Sequence, residues 1–230
     1  AEPSLTMIGQ RPAKNNGQGF IFVLPDGRLI LQDGGHYYHD GKEDLIYAAM
    51  KEVAPDPENI VIAAWFLSHA HEDHVGAFKK FVTDYSTDES VTIERVIFTF
   101  GAAESYNFTR PDGNTENYSG LVTDVLSLCR NNLPDTKVIK AHTGQVYDFG
   151  DANVEIIYTV EDLLPAKNYG YVNATSLVIR VNAAGQSVLL LGDSTSASTR
   201  IMEYVWGSYL HSDMVQLAHH GMWAGTGSFY

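Results

Sequence analysis

The sequence predicts an α+β fold in which two mixed β-sheets pack together and helices flank them. Two β-rich blocks separated by helical segments point to it, since each block must bury one face against another layer. A nearly all-apolar run, Ile60 to Leu67, points the same way, because such a strand is covered on both sides. The chain shows no internal repeat at the roughly 20 to 50 residue periods of a solenoid.

The first block opens with β-type runs at Leu5 to Ile8, Phe20 to Leu24 and Arg28 to Gln32, the last two joined by the turn Pro25-Asp26-Gly27. From Lys42 to Val53, apolar Leu45, Ile46, Ala49, Met50 and Val53 recur at helical spacing, and Pro55 and Pro57 end the pattern before the strand Ile60 to Leu67. Val75 to Tyr85 reads as a helix, Val91 to Phe98 as a strand, Gly101 to Gly120 as a polar loop, and Leu121 to Leu133 as a helix stopped by Pro134. The second block has β runs at Lys137 to Ala141, Gln145 to Phe149 and Val154 to Tyr158, then a loop carrying Pro165 and Gly170. Ser176 to Val181 and Ser187 to Leu191 form a hairpin around Ala184-Gly185, followed by a helix from Thr195 to Tyr209 and a strand from Met214 to Ala218.

With 230 residues and 44% hydrophobic content, one domain spanning 1–230 is expected. A net charge of −13, from 15 basic and 28 acidic residues, repels a long polyanion over most of the surface and disfavours nucleic acid as partner. The single cysteine, Cys129, has no internal disulfide partner and lies among Leu126, Leu128 and Leu133, which reads as a small buried hydrophobe. No apolar run reaches the roughly 20 residues of a membrane span, and Ala1-Glu2-Pro3 lacks the signature of a leader. Composition is compatible with the cytoplasm or, after leader removal, the exterior, and sets no oligomeric state.

Chemistry concentrates where the apolar strand ends. Ser68-His69-Ala70-His71-Glu72-Asp73-His74 places three of the chain's nine histidines beside Asp73. On an extended strand end His69 and His71 point the same way, and a following turn can bring Asp73 and His74 to a second cation about 3.5 Å from the first. Imidazole with carboxylate favours zinc, with manganese or iron as substitutes. A water shared by two such ions loses its proton near neutral pH, its pKa falling from about 16 to about 7, and becomes the nucleophile. No serine or cysteine nucleophile is then needed.

This motif resembles the HxHxDH signature of the metallo-β-lactamase superfamily. The family's early acidic residue matches Asp33 in Leu31-Gln32-Asp33-Gly34-Gly35, its late bridging aspartate Asp193 in Leu190-Leu191-Gly192-Asp193, and its terminal histidine His219 or His220 in Leu217-Ala218-His219-His220-Gly221. Within that superfamily the chain looks like the hydrolase domain of ComEC-like competence proteins and like phosphorylcholine esterases. Gly17-Gln18-Gly19, Asn173-Ala174-Thr175-Ser176 and His219-His220-Gly221 carry this likeness, with a small insertion between Gly9-Gln10 and Phe20. The resemblance implies a four-layer αββα sandwich, two divalent cations and a metal-bridging hydroxide. Similar domains continue after His219-His220-Gly221 with a further helix and strand, so truncation is expected at Tyr230, with an exposed sheet edge or apolar patch nearby.

The expected metal ligands are therefore His69, His71, Asp73, His74, Asp193 and one of His219 and His220, the other histidine donating to a substrate oxygen or leaving group. Asp193-Ser194-Thr195 also reads as a helix cap. Asp33 reads as an acceptor for the N–H of a ligating histidine, fixing its tautomer. Asn173 stands where many members place a third histidine for the first metal. It could ligate, contact substrate or cap a turn. His142 is the other candidate there, with a surface-turn reading beside it. His36 or His39 and Tyr37, following Asp33, are expected at a substrate pocket or in simple packing, and His211 is expected to be structural. The leading activity is hydrolysis of a small phosphodiester, with the loop Tyr106-Asn107-Phe108 to Asn117-Tyr118 offering aromatic faces to a cationic headgroup. Lactone, thioester or β-lactam hydrolysis uses the same machinery, and a metal-binding module of a larger uptake or cell-surface protein is the non-catalytic alternative.

Overall fold

Along the apolar strand of the first block, alternate side chains leave in opposite directions, and the whole architecture follows from that alternation. The computed structural model describes residues 1–9, 17–36, 45–109, 113–163 and 171–222. Strands β1 (Ser4–Gly9), β2 (Gln18–Val23) and β3 (Leu29–Asp33) are antiparallel, and helix α1 (Leu45–Val53) leads from them to β4 (Ile60–Leu67). Strand β4 lies parallel to β3. Helix α2 (Glu72–Tyr85), β5 (Val91–Ile93), β6 (Arg95–Phe98), the hairpin β7 (Asn107–Thr109) and β8 (Thr115–Asn117), helix α3 (Ser119–Asn132) and β9 (Lys137–Lys140) complete the first half. The first sheet runs in the order β1-β2-β3-β4-β6-β9, with β5 also on β4.

The second sheet runs β10-β11-β12-β13-β14. It holds β10 (Val146–Asp148), β11 (Ala152–Tyr158), β12 (Val178–Ala183), β13 (Gln186–Leu190) and β14 (Met214–Val215), with α4 (Val160–Leu163) and α5 (Ser196–Trp206) between strands. All its pairs are antiparallel except β13 with β14.

Three apolar cores separate four layers. Trp65 and Leu67 of β4 face Ile46, Met50, Phe78 and Phe81 of α1 and α2, whereas Ala64 and Phe66 face the second sheet at Ile156, Ile179 and Leu190. On that sheet's far side, Val178 and Leu189 pack on Met202 of α5. The order is helix, sheet, sheet, helix. Strand β4 is thus buried on both faces, as its composition requires. Cys129 is buried against the first helix layer.

Several boundaries differ from the sequence reading. The run Val91 to Phe98 is interrupted at Glu94, yet its register on β4 continues, because Glu94 N donates to Ile62 O and Glu94 O accepts from Lys137 N. The polar loop Gly101 to Gly120 holds a 3-10 turn, Ala103–Tyr106, and the β7–β8 hairpin, and it buries Tyr106 and Phe108 in the core. Those two rings are not substrate walls. Strand β14 covers only Met214–Val215, and Ser176 and Leu177 precede β12. Thr195 caps α5, its Oγ1 accepting from Ser198 N, so Asp193 is not the cap. Gln10, Tyr37, His39, Lys42, Pro165, Gly170 and Trp223 to Tyr230 lie outside the described residues. No described helix is long and apolar enough to cross a membrane.

Candidate metal centre

Strand β4 delivers the chain to one end of the first sheet, and the next seven residues turn into a helix. His71 is the N-cap of α2 in extended conformation, so Asp73 and His74 fall in its first turn, three residues earlier than apolar periodicity placed the helix start. An acidic side chain there meets the positive end of the helix dipole. His69 and His71 approach with Nε2 and Nδ1 3.0 Å apart.

Asp33, at the end of β3, holds this segment from behind. Its Oδ1 accepts from Ser68 N at 2.7 Å and its Oδ2 from Ser68 Oγ at 2.7 Å, and Oδ2 lies 2.8 Å from His74 Nδ1. A carboxylate only accepts, so His74 carries its proton on Nδ1. The Ser68 hydroxyl proton goes to Asp33, which leaves Ser68 Oγ, 3.0 Å from His69 Nδ1, to accept from that ring as well. Both histidines therefore turn Nε2 inward, with Asp33 behind the rings. Ser68 carried no motif signal of its own beyond its position before His69.

Asp193 sits across from them on the turn after β13. Gly192 makes that turn at φ +55°, and a Cβ there would stand 3.1 Å from Ser68 Cβ and 3.2 Å from Ser176 Oγ. Ser176 Oγ in turn accepts from Asp193 N at 3.1 Å. Asp193 Oδ1 is 3.1 Å from His74 Nε2, and its Oδ2 is 3.7 Å from His69 Nε2 and 3.8 Å from the Nε2 of both His219 and His220. His220 Nε2 is 3.3 Å from Asp73 Oδ2. Among the described residues two groups of possible ligands result, His69 with His74 and Asp193, and Asp73 with His74 and His220, and neither includes His71 or His219. His220 is the more enclosed of the adjacent pair, with 13% of its side chain exposed against 28% for His219.

The fit to a cation rests on buried imidazole nitrogens and carboxylate oxygens that face one another. His74 Nε2, Asp193 Oδ1, His220 Nε2 and Asn173 Oδ1 are buried without a well-formed hydrogen bond, and their contacts are ion pairs, His74 Nε2 with Asp193 Oδ1 at 3.1 Å and His220 Nε2 with Asp73 Oδ2 at 3.3 Å. An unmet buried polar group costs about 1–3 kcal/mol, and those of His74, Asp193 and His220 belong to the two ligand groups, where a divalent cation would give the nitrogens and oxygens a better partner. The donor set fits.

Electrostatics agree. Burial alone would lower the pKa of His74, but Asp193 and Asp33 outweigh it and hold it well above the usual histidine range. A cation at Nε2 would replace that proton. His69 is pushed well below the usual range by burial and by His74 and His71. Burial likewise brings His71 down to about 4, against the pull of Asp73. Asp73 and Asp193 stay below the carboxylate range although burial raises both, Asp73 through His220 and His74, Asp193 through His74.

Asn173, fully buried in a 3-10 turn, caps nothing with its side chain; its Nδ2 lies 3.5 Å from Asp193 Oδ2. His142 is exposed and pairs with Asp162 at 3.2 Å, and His211 is exposed. Neither ligand group includes His36, which is half-buried. Two aromatic rings flank His71: Tyr118, at 4.8 Å between centroids, and Tyr171, at 6.5 Å, which no motif marked.

No protein-family model matches the chain. PqqB from Methylobacterium extorquens, solved with Zn(2+) bound, superposes with a TM-score of 0.52 at 13% identity, over 86% of this chain and 58% of that one. A variant of CmlA, a diiron β-hydroxylase from Streptomyces venezuelae, gives 0.52 at 17% identity over 94% of this chain and 35% of that one. The metallo-β-lactamase fold protein YhfI from Bacillus subtilis aligns over 84% of this chain and 64% of its own at 16% identity, with a TM-score of 0.48. The chain shares its fold with PqqB and CmlA. The turn after β4, with His69 and His74, meets the turn after β13, with Asp193. In sequence, Recombination protein 2 of Haemophilus influenzae is 25% identical over 216 residues, which are 93% of this chain. The chain spans 21% of that relative's length.

Proposed function

We propose that this chain is a dinuclear metal-dependent hydrolase, with zinc as the leading cation, acting on a phosphodiester bond of a small substrate. The convergence of the Nε2 atoms of His69, His74, His219 and His220 on the buried Asp193 carboxylate carries the reading. His69 and Asp193, with His71 Nδ1 3.0 Å from His69 Nε2, would hold one cation, and Asp73, His74 and His220 the other. When bound, two cations supply Lewis-acid activation of water and charge stabilisation at phosphoryl oxygens.

The protein's own groups do the rest. Asp33 keeps the rings of His74 and, through Ser68, His69 in the tautomer that faces inward. His219, the more exposed of the pair and 3.8 Å from Asp193, would donate to a substrate or leaving-group oxygen. Tyr118 and Tyr171 form a wall beside His71, and Asn173 offers its amide next to Asp193. The likeness to Recombination protein 2 supports a phosphodiester, since recombination rearranges phosphodiester-linked chains. A net charge of −13 supports a small substrate over a long polyanion.

Elemental analysis with hydrolysis of bis-p-nitrophenyl phosphate tests the reading. Two equivalents of zinc with turnover are expected. Two equivalents with no turnover of phosphodiester, lactone or β-lactam probes would instead leave a metal-binding module, and cleavage of a lactone or β-lactam alone would move the substrate class.

A further inference from the structure

Gln216 carries no motif and follows the two-residue strand β14, yet its side-chain amide joins three parts of the centre. Its Oε1 accepts from Leu191 N at 2.8 Å and from Gly192 N at 2.9 Å, so it meets the backbone N–H groups of the turn that presents Asp193. Its Nε2 lies 2.9 Å from Gly192 O, 3.2 Å from Leu217 O and 2.7 Å from Gln18 Oε1. Gly192 O also accepts from His219 N at 3.1 Å, which ties the Asp193 turn to the His219-His220 loop. Gln18 begins β2, so the same amide reaches the first sheet across 198 residues of sequence.

We propose that Gln216, braced by Gln18, is a positioning residue that sets Asp193 and His220 for cation binding. The inference rests on the dinuclear reading above and names a part of the same site. The conformations it supports need holding. Gly192, His219 and His220 have φ of 55°, 51° and 57°, and for the two histidines the left-handed region is sparsely populated. Only a carboxamide can accept two N–H bonds on one atom and donate from the other. A glutamate cannot donate, a lysine cannot accept, and a methionine of similar length does neither. Gln216 is buried and its amide leaves no atom unmet, in contrast to the cation-facing atoms of His74, Asp193 and His220.

The test compares wild type with Gln216→Met and Gln18→Met by zinc affinity in chelator competition, by the visible spectrum of the cobalt(II)-substituted protein, and by kcat and KM on bis-p-nitrophenyl phosphate. Gln216→Met is expected to lose about 10- to 100-fold in zinc affinity, the range typical of groups that orient ligands. It should also shift the cobalt bands and lower kcat more than KM. Gln18→Met removes only one of the five contacts and should give a smaller loss in the same direction, which keeps the idea testable should Gln216→Met not fold. A fall in melting temperature with unchanged zinc affinity and cobalt spectrum would make Gln216 purely structural and overturn the inference while leaving the hydrolase reading in place. A wild type that binds neither zinc nor cobalt would overturn both.

Discussion

His74 Nδ1 lies 2.8 Å from Asp33 Oδ2, across 41 residues of sequence, and the same oxygen accepts from Ser68 Oγ. One carboxylate at the end of β3 thereby orients two imidazoles of the motif. Asp33→Asn tests this directly. Its amide nitrogen, placed toward His74, would have to meet an acceptor at Nδ1, which forces the ring proton onto Nε2 and blocks the inward lone pair. Zinc affinity should fall by about 10- to 100-fold and activity with it. Chelator competition measures the first and initial rates the second; wild-type affinity in this variant would remove the role given to Asp33.

Asp73 pairs with His220 from the first turn of α2, and about a third of its side chain reaches solvent. Asp73→Ala therefore removes a proposed ligand without opening a large core cavity. Zinc content should drop from two equivalents toward one and turnover should vanish, while the far-ultraviolet circular dichroism stays that of the wild type. Retained turnover would show that the second cation, or this ligand, is dispensable.

How far these features were legible beforehand differs from residue to residue. Strand β4 was readable because burial on both faces leaves an unbroken apolar run, and His69 to His74 because several ligand types crowd behind it. The start of α2 was not, since apolar periodicity begins at Val75 whereas the helix begins with polar residues after its His71 cap. The β7–β8 hairpin hid in a polar stretch because strands of three residues are too short to show alternation. Tyr106 and Phe108 consequently looked like pocket rings, although they are core. Gln216 and Ser68 were silent for another reason. Their effect comes from hydrogen bonds to backbone and side chains brought close only by the fold, and a lone glutamine or serine has no spacing to betray it.

Burial raises the pKa of the Cys129 thiol to about 12, from an ordinary value of 9.0. The thiol should therefore be inert to Ellman's reagent at pH 8 in the folded protein and react fully in denaturant. A raised pKa in the native state means that its contribution to stability is complete below the unfolded value and is lost as pH rises from about 9 toward 12. Urea midpoints across that range, compared with those of Cys129→Ala, isolate the effect. Fast labelling of the native protein would place Cys129 outside the core.

Gly192 couples stability to the site more tightly than any substitution above. Its φ of +55° costs an L residue about 1–2 kcal/mol, and an added Cβ would press on Ser68 Cβ at 3.1 Å, behind the very hydroxyl that Asp33 and His69 share. Gly192→Ala should therefore destabilise by about 2 kcal/mol or more once the contact is added to the backbone strain. The turn must also give way, which moves Asp193 relative to His74 and weakens zinc binding beyond the loss in folding. Urea denaturation of the metal-free protein gives the first quantity, and zinc affinity measured well below the unfolding midpoint gives the second. A variant within about 0.5 kcal/mol of wild type and equal in zinc affinity would mean that Ser68 and Asp193 tolerate a wider turn than their contacts imply, since surface-like tolerance is the mark of a site with no such constraint.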